Sequence, residues 1–95
     1  MKFTTMSQIK EASEAAGRKF FSRGAMSFFR SRVETEKPIA GQYFVTSEQY
    51  GERHPRLFSV RKICGDCRVI TVGKFQEHAT LSDALAAIAA IVESN

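Results

Sequence analysis

Between Pro38 and Thr80 the sequence changes its hydrophobic period, and that change limits the folds open to it. "QYFVTSE" (42–48), "RLFSVRKI" (56–63) and "RVITVGKF" (68–75) are rich in β-branched and aromatic residues. Polar, turn-like "QYGERHP" and the short "CGDC" separate them. Such runs bounded by turn residues predict three strands joined as hairpins. The register of the second hairpin follows from burial. A two-residue Gly-Asp loop would set Val60 opposite Thr71 and scatter apolar side chains over both faces. A three-residue loop, Gly65 to Cys67, sets Val60 opposite Val72 and Lys62 opposite Ile70. Phe58, Val60, Ile70 and Val72 then share a core face, while Arg61 and Thr71 point outward. A one-residue slip would reverse every side chain, so the odd register is expected.

Helical patterns flank this region. Ser7 is placed to cap a first helix running to about Ala16, with Gly17 as its left-handed stop. Its apolar stripe of Ile9, Ala12 and Ala16 is thin. Ser22 is a second N-cap, and "RGAMSFFRSRV" (23–33) reads as an amphipathic helix. Met26, Phe29 and Val33 recur there at helical spacing, with Phe28 and Ala25 widening the buried stripe. "ETEKPIAG" (34–41) is the break. At the end, Thr80 or Ser82 caps "DALAAIAAIVES", with Leu81, Leu85, Ile88 and Val92 at helical spacing. The expected class is α+β, in the order α-α-β-β-β-α: a three-stranded antiparallel meander with helices packed on one face. The 95 residues are expected to form a single domain.

With 43% apolar residues and eight phenylalanines, the chain has enough material for a core without staples. The longest apolar run, "ALAAIAAIV" from Ala84 to Val92, is nine residues, too short for a membrane span. No signal-peptide pattern opens the sequence, so a cytoplasmic protein with reduced cysteines is expected. The net charge of +4 is concentrated in residues 1–38, which hold eight Lys/Arg against four Glu. Arg18, Lys19, Arg23, Arg30 and Arg32 have no acidic residue among them. That stretch suits phosphate or an acidic protein surface, or else forms a solvated helix face.

Chemistry-bearing motifs are scarce. Cys64 and Cys67 form a Cys-x-x-Cys, and His54 and His78 are the only histidines. Each histidine lies ten or eleven residues from its nearer cysteine along a strand, roughly 30 Å at ~3.3 Å per residue. One zinc ion needs four ligands at one point, so no metal site is expected. A thioredoxin-like pair precedes a helix that lowers a thiol pKa; this one sits between strands beside Asp66. The motif reads as a hairpin turn. In the odd register His54 faces His78, with Glu52 and Glu77 nearby. No nucleophile, phosphate loop or dinucleotide fingerprint accompanies them, so neither an enzyme nor a cofactor is expected. Phe20, Phe21, Phe28 and Phe29 interleave with the basic residues, an arrangement that suits base stacking; core packing is the preferred explanation.

The pieces "FFRSRV", "YFVTSEQ" and the "VR…TVGKFQ" pairing, within a match from about Ile9 to Ala87, resemble an uncharacterised family of short bacterial proteins carried by phages, prophages and plasmids. That resemblance implies a mobile-element setting and no mechanism. The resembled proteins tend to have a non-cysteine turn where this chain has Cys64 and Cys67, which tells against a cysteine-based function. Within the shared pieces, folding explains Arg30, Arg32, Ser47, Glu48 and Arg61 least well. They are expected to be partner contacts or a structural ion-pair network.

Two functional expectations follow. One is a non-catalytic accessory protein of a phage or other mobile element that binds a host protein or complex stoichiometrically, with anti-defence inhibition, such as anti-CRISPR activity, as a specific form. The other is a nucleic-acid-binding module using the basic second helix. Its α-β-β-β-α portion has the element order of a double-stranded-RNA-binding domain, but "ATLSDA" stands where that family has lysines. Self-association is a third, blander option.

Overall fold

A computed structural model of the chain describes residues 2–94. The first helix, α1 (Met6–Ala15), starts two residues earlier than a Ser7 cap would allow. Thr5 is the N-cap and forms a reciprocal capping box with Gln8. Gly17 ends it as expected: at φ +77 it is left-handed, and the N–H groups of Gly17 and Arg18 return to Glu14 O and Ser13 O.

The second helix departs from expectation. Ser22 caps it through the Ala25 N–H, but α2 (Arg23–Phe28) is only six residues long. Arg30 stands at φ +52 immediately after the helix. Arg30 N donates to Ser27 O and Ser31 N to Met26 O, which is the paired closure of a Schellman motif. The position usually holds glycine, so nothing in the residue type announced the stop. Beyond it the chain is extended, and Arg32–Val33 form β1, a strand that the helical reading had absorbed.

β1 pairs antiparallel with β2 (Tyr43–Glu48), which pairs with β3 (Leu57–Ile63), which pairs with β4 (Val69–Val72). The sheet therefore has four strands in chain order, not three. The β3–β4 register is the expected one, with Val60 opposite Val72 and Lys62 opposite Ile70. Its turn closes through Cys67 N to Cys64 O and Cys64 N to Arg68 O, with Cys67 at φ +64. This is a three-residue hairpin loop with a left-handed third residue.

The helices pack on both faces of the sheet, not on one. β2 explains this: all six of its residues are buried, as in a strand covered on both sides. Tyr43, Val45 and Val60 pack beneath Ala84 and Ile88 of α3 (Leu81–Ser94). Phe44 and Ile63, on the opposite face, pack against Ile9 of α1 and Phe21. Thr80, not Ser82, caps α3 by accepting from the Asp83 N–H at 3.0 Å. The buried stripe of α3 is rotated from the expected one. Ala84 and Ile88 are at its centre, whereas Leu85 and Val92 are each 37% exposed.

Candidate partner-binding surface

Seen from the sequence, the polar face of β2 and β3 should meet water. Instead it is covered and internally satisfied. Glu48 and Thr46 are fully buried and Arg61 nearly so. Arg61 Nη2 meets Glu48 Oε2 at 2.9 Å, and its Nε donates to Thr46 Oγ1 at 2.8 Å. Ser59 Oγ donates to Glu48 Oε1 at 2.8 Å, while Thr46 Oγ1 donates to the other carboxylate oxygen. Arg61 Nη1 reaches Thr71 Oγ1. A buried charge pair holds only when its remaining hydrogen-bonding groups also find partners, and here Thr46, Ser59 and Thr71 supply them.

The lid over this network comes from the segment after β4. Gln76 donates from its backbone to Ser59 Oγ and from Nε2 to Glu48 O, both at 2.8 Å. Gly73, at φ +79, lets the chain fold back, and a Cβ there would collide with the Glu77 carboxylate. Phe75 then lies over the Arg61 guanidinium, 5.4 Å from it to ring centroid, with Phe20 at 5.2 Å. Arginine stacked on two rings is both desolvated and oriented.

From Phe75 a chain of rings extends outward. Phe75 meets Phe29 at 5.3 Å between centroids, Phe29 meets Tyr50 at 5.0 Å and Phe28 at 4.6 Å. His54 adjoins Tyr50 at 6.2 Å. The rings come from the end of α2, the β2–β3 loop and the β4–α3 loop, so three connections converge at one end of the sheet. Phe28 is 77% exposed and Tyr50 62%. Arg30 and Gln76, which directly follow Phe29 and Phe75, are two of the four non-glycine residues at positive φ among the described residues. Left-handed backbone at such residues costs roughly 1–2 kcal/mol each; the strain sits where it turns the two rings toward each other. Core packing therefore accounts for Phe20 and Phe21 but not for Phe28.

The other singled-out residues are dispersed. Ser47 is buried, donating to Glu34 Oε2 at 2.7 Å and accepting from Arg56 Nη1 at 2.9 Å. Arg56 also holds Arg30 O at 2.8 Å. Arg18 is at the opposite end of β3, paired with Asp66 at 3.4 Å. The length of β3 between them is about 20 Å at ~3.3 Å per residue. Arg18 and Arg30 thus do not share one patch, and Lys19, Arg23 and Arg32 are individually exposed. Asp66 is held below the usual carboxylate range, first by the Arg68 N–H donating to it and then by the Arg68 and Arg18 charges. Burial opposes that shift.

His54 and His78 do not face each other. The odd register ends at Val72, and the fold-back at residues 73–77 shifts His78 into a bridge with Phe58 instead. Among the described residues, no three His, Cys, Asp or Glu side chains gather as a metal site, and both cysteines are free. No helix among them is long and apolar enough to cross a membrane.

A model for the family of unknown function DUF7447 matches residues 5–89. The chain belongs to that family. No curated protein and no solved structure matches it. The DUF7447 match covers the whole ring surface, from Phe28 to Phe75, together with the buried network beneath it. The ring surface escaped the sequence reading because Phe28 and Phe29 fit a helical stripe. The one available signal was their return, with Tyr50 and Phe75, beside turn residues.

Proposed function

We propose that this DUF7447 protein is a non-catalytic accessory protein of a phage or other mobile element that acts by occupying a surface on a host protein or complex, a defence complex included. The observation that carries this reading is the ring surface, with Phe28 77% exposed and held edge-on against Phe29. An aromatic anchor in water, braced from behind by a fully bonded network, has the form of a binding hot spot. The mobile-element setting rests on the resemblance carried by "FFRSRV" and "YFVTSEQ". Arg30, Arg53 and Lys74, which neighbour the rings in the chain, are exposed and would form a polar rim.

The alternative, a nucleic-acid module built on a basic second helix, draws less support. α2 is short and holds Arg23 alone of the basic residues, because Arg30 and Arg32 lie beyond its end. Capture of a tagged chain from nuclease-treated host lysate tests the proposal. A saturable protein partner, lost with Phe28→Ser and Tyr50→Ser together, is the expected result. Capture that disappears with nuclease, or that ignores both substitutions, would overturn it.

A further inference from the structure

The segments that carry the rings, residues 28–32, 49–56 and 73–78, hold Arg30, Arg32, Arg53, Arg56 and Lys74 against Glu52 and Glu77. None of these cations is in an ion pair. Among the described residues such pairs join Arg18 and Arg68 to Asp66, and Arg61 to Glu48. Glu77 is already engaged, accepting from the Lys74 N–H at 2.8 Å. Arg56 is half-buried where the other cations are exposed. It spends Nη1 on Arg30 O, Ser47 O and Ser47 Oγ. All of these acceptors are neutral, and Glu34 is linked to the guanidinium through the Ser47 hydroxyl. Nε and Nη2 of Arg56 make no hydrogen bond among the described residues. Ser13 Oγ is the one buried side-chain polar atom there without a partner, so the Nε–Nη2 edge opens to the surface. An arginine anchored in this way presents a fork that fits a carboxylate through two hydrogen bonds.

We infer, on the reading of the rings as the binding face, that the partner surface seated there is acidic. An apolar or aromatic side chain of the partner packs against Phe28 and Tyr50, while carboxylates flanking it meet Arg30, Arg53, Arg56 and Lys74. Charge complementarity selects this occupant, since cations outnumber carboxylates around the rings and none is neutralised within the chain. A second copy of this chain would set the same cations against each other. A phosphate backbone has the right sign, but the rings do not suit bases. Phe28 and Phe29 meet at 85°, and Phe29 and Tyr50 at 74°, edge-on contacts that offer no row of flat platforms. Binding of single strands uses such platforms along a continuous basic groove, which Glu52 and Glu77 would interrupt.

Fluorescence anisotropy of the full chain with labelled polymers is the test. The probes are a random glutamate–tyrosine copolymer, polyglutamate, a lysine–tyrosine copolymer and oligothymidylate. The glutamate–tyrosine copolymer should bind about tenfold tighter than polyglutamate, because the rings need an aromatic partner. Its affinity should fall as salt screens the exposed charges, and the lysine–tyrosine copolymer should not bind. Phe28→Ser with Tyr50→Ser should weaken copolymer binding about tenfold. Arg53→Glu with Lys74→Glu should weaken it about tenfold as well. Lys10→Glu with Lys19→Glu makes the same charge change at exposed positions outside the ring-bearing segments. That variant should stay within about twofold of the unaltered chain, and each variant should keep its circular dichroism spectrum. Equal affinity for the two acidic polymers would overturn the inference. Tighter binding of oligothymidylate, or an equal loss in the Lys10 and Lys19 variant, would do the same. Capture of a host protein through Phe28 and Tyr50 without any copolymer binding would overturn this inference alone and leave the proposed function standing. Lysate capture that ignores both ring substitutions would remove the two together.

Discussion

Arg61 and Glu48 meet at 2.9 Å on a sheet face that two layers of cover keep from water. Neither residue lies in the apolar core, yet the ring surface rests on their pairing because Phe75 stacks on the same guanidinium. Glu48→Ala should destabilise the fold by about 3–5 kcal/mol, since it leaves a buried arginine without its counter-charge. Adding Arg61→Met should recover most of that loss. Urea unfolding measures both; a Glu48→Ala cost within the range of a surface substitution would refute the structural role.

Phe28 and Phe44 should separate function from stability. Phe44 is fully buried between the helical layer and the sheet, so Phe44→Ala should cost about 3–5 kcal/mol. Phe28→Ala should leave the unfolding midpoint within about 0.5 kcal/mol, as expected of an exposed position. It should nonetheless weaken partner binding by about 2 kcal/mol, roughly thirtyfold. Calorimetry with the captured partner gives the second value.

The register of the β3–β4 hairpin was legible because a single pairing collects Phe58, Val60, Ile70 and Val72 on one face, although Ile70 of that set proves exposed and the opposite face is covered as well. The stop of α2 was not legible. Arg30 takes a backbone conformation that its side chain disfavours, held by the local Schellman bonds and by the Arg56 bond to its carbonyl. The same blindness hid β1 and made Phe28 look like core. Ser47, Glu48 and Arg61 were recognised as residues that simple folding left unexplained. The burial of Glu48 and Arg61 was not foreseen, because it depends on a second covered face supplied by Phe20 and the fold-back at Gln76; Ser47 is buried on the other face, against Glu34 and Arg56.

Ser13 offers a stabilising change. It sits fully buried inside α1, and its hydroxyl finds no hydrogen-bond partner among the described residues. Ser13→Ala removes that unpaired group and improves helix propensity. The unfolding free energy should rise by about 1 kcal/mol, read as a higher urea midpoint at unchanged slope. A fall would mean that the hydroxyl has a partner after all.

Asp66 sets a pH dependence confined to the hairpin turn. Its carboxyl titrates below its ordinary value of 3.8, because the folded chain presents the Arg68 N–H and two guanidinium groups to the charged form. A carboxylate with a lowered folded value stabilises fully above the unfolded value and loses that contribution as pH falls through the folded one. The benefit should therefore be present at neutral pH and disappear below about pH 4. Stability curves of the unaltered chain and of Asp66→Asn should diverge at neutral pH and converge in acid. Parallel curves throughout would show that the turn does not use this charge.

The strands lie side by side in the order in which they are synthesised. Every sheet pairing joins neighbours along the chain, across the short connections 34–42, 49–56 and 64–68. Bringing such strands together costs little loop-closure entropy, and low sequence separation between paired segments goes with rapid folding. A protein of this topology is therefore suited to becoming active soon after translation. For a chain whose proposed task is to occupy a host surface, speed of maturation would then matter alongside affinity.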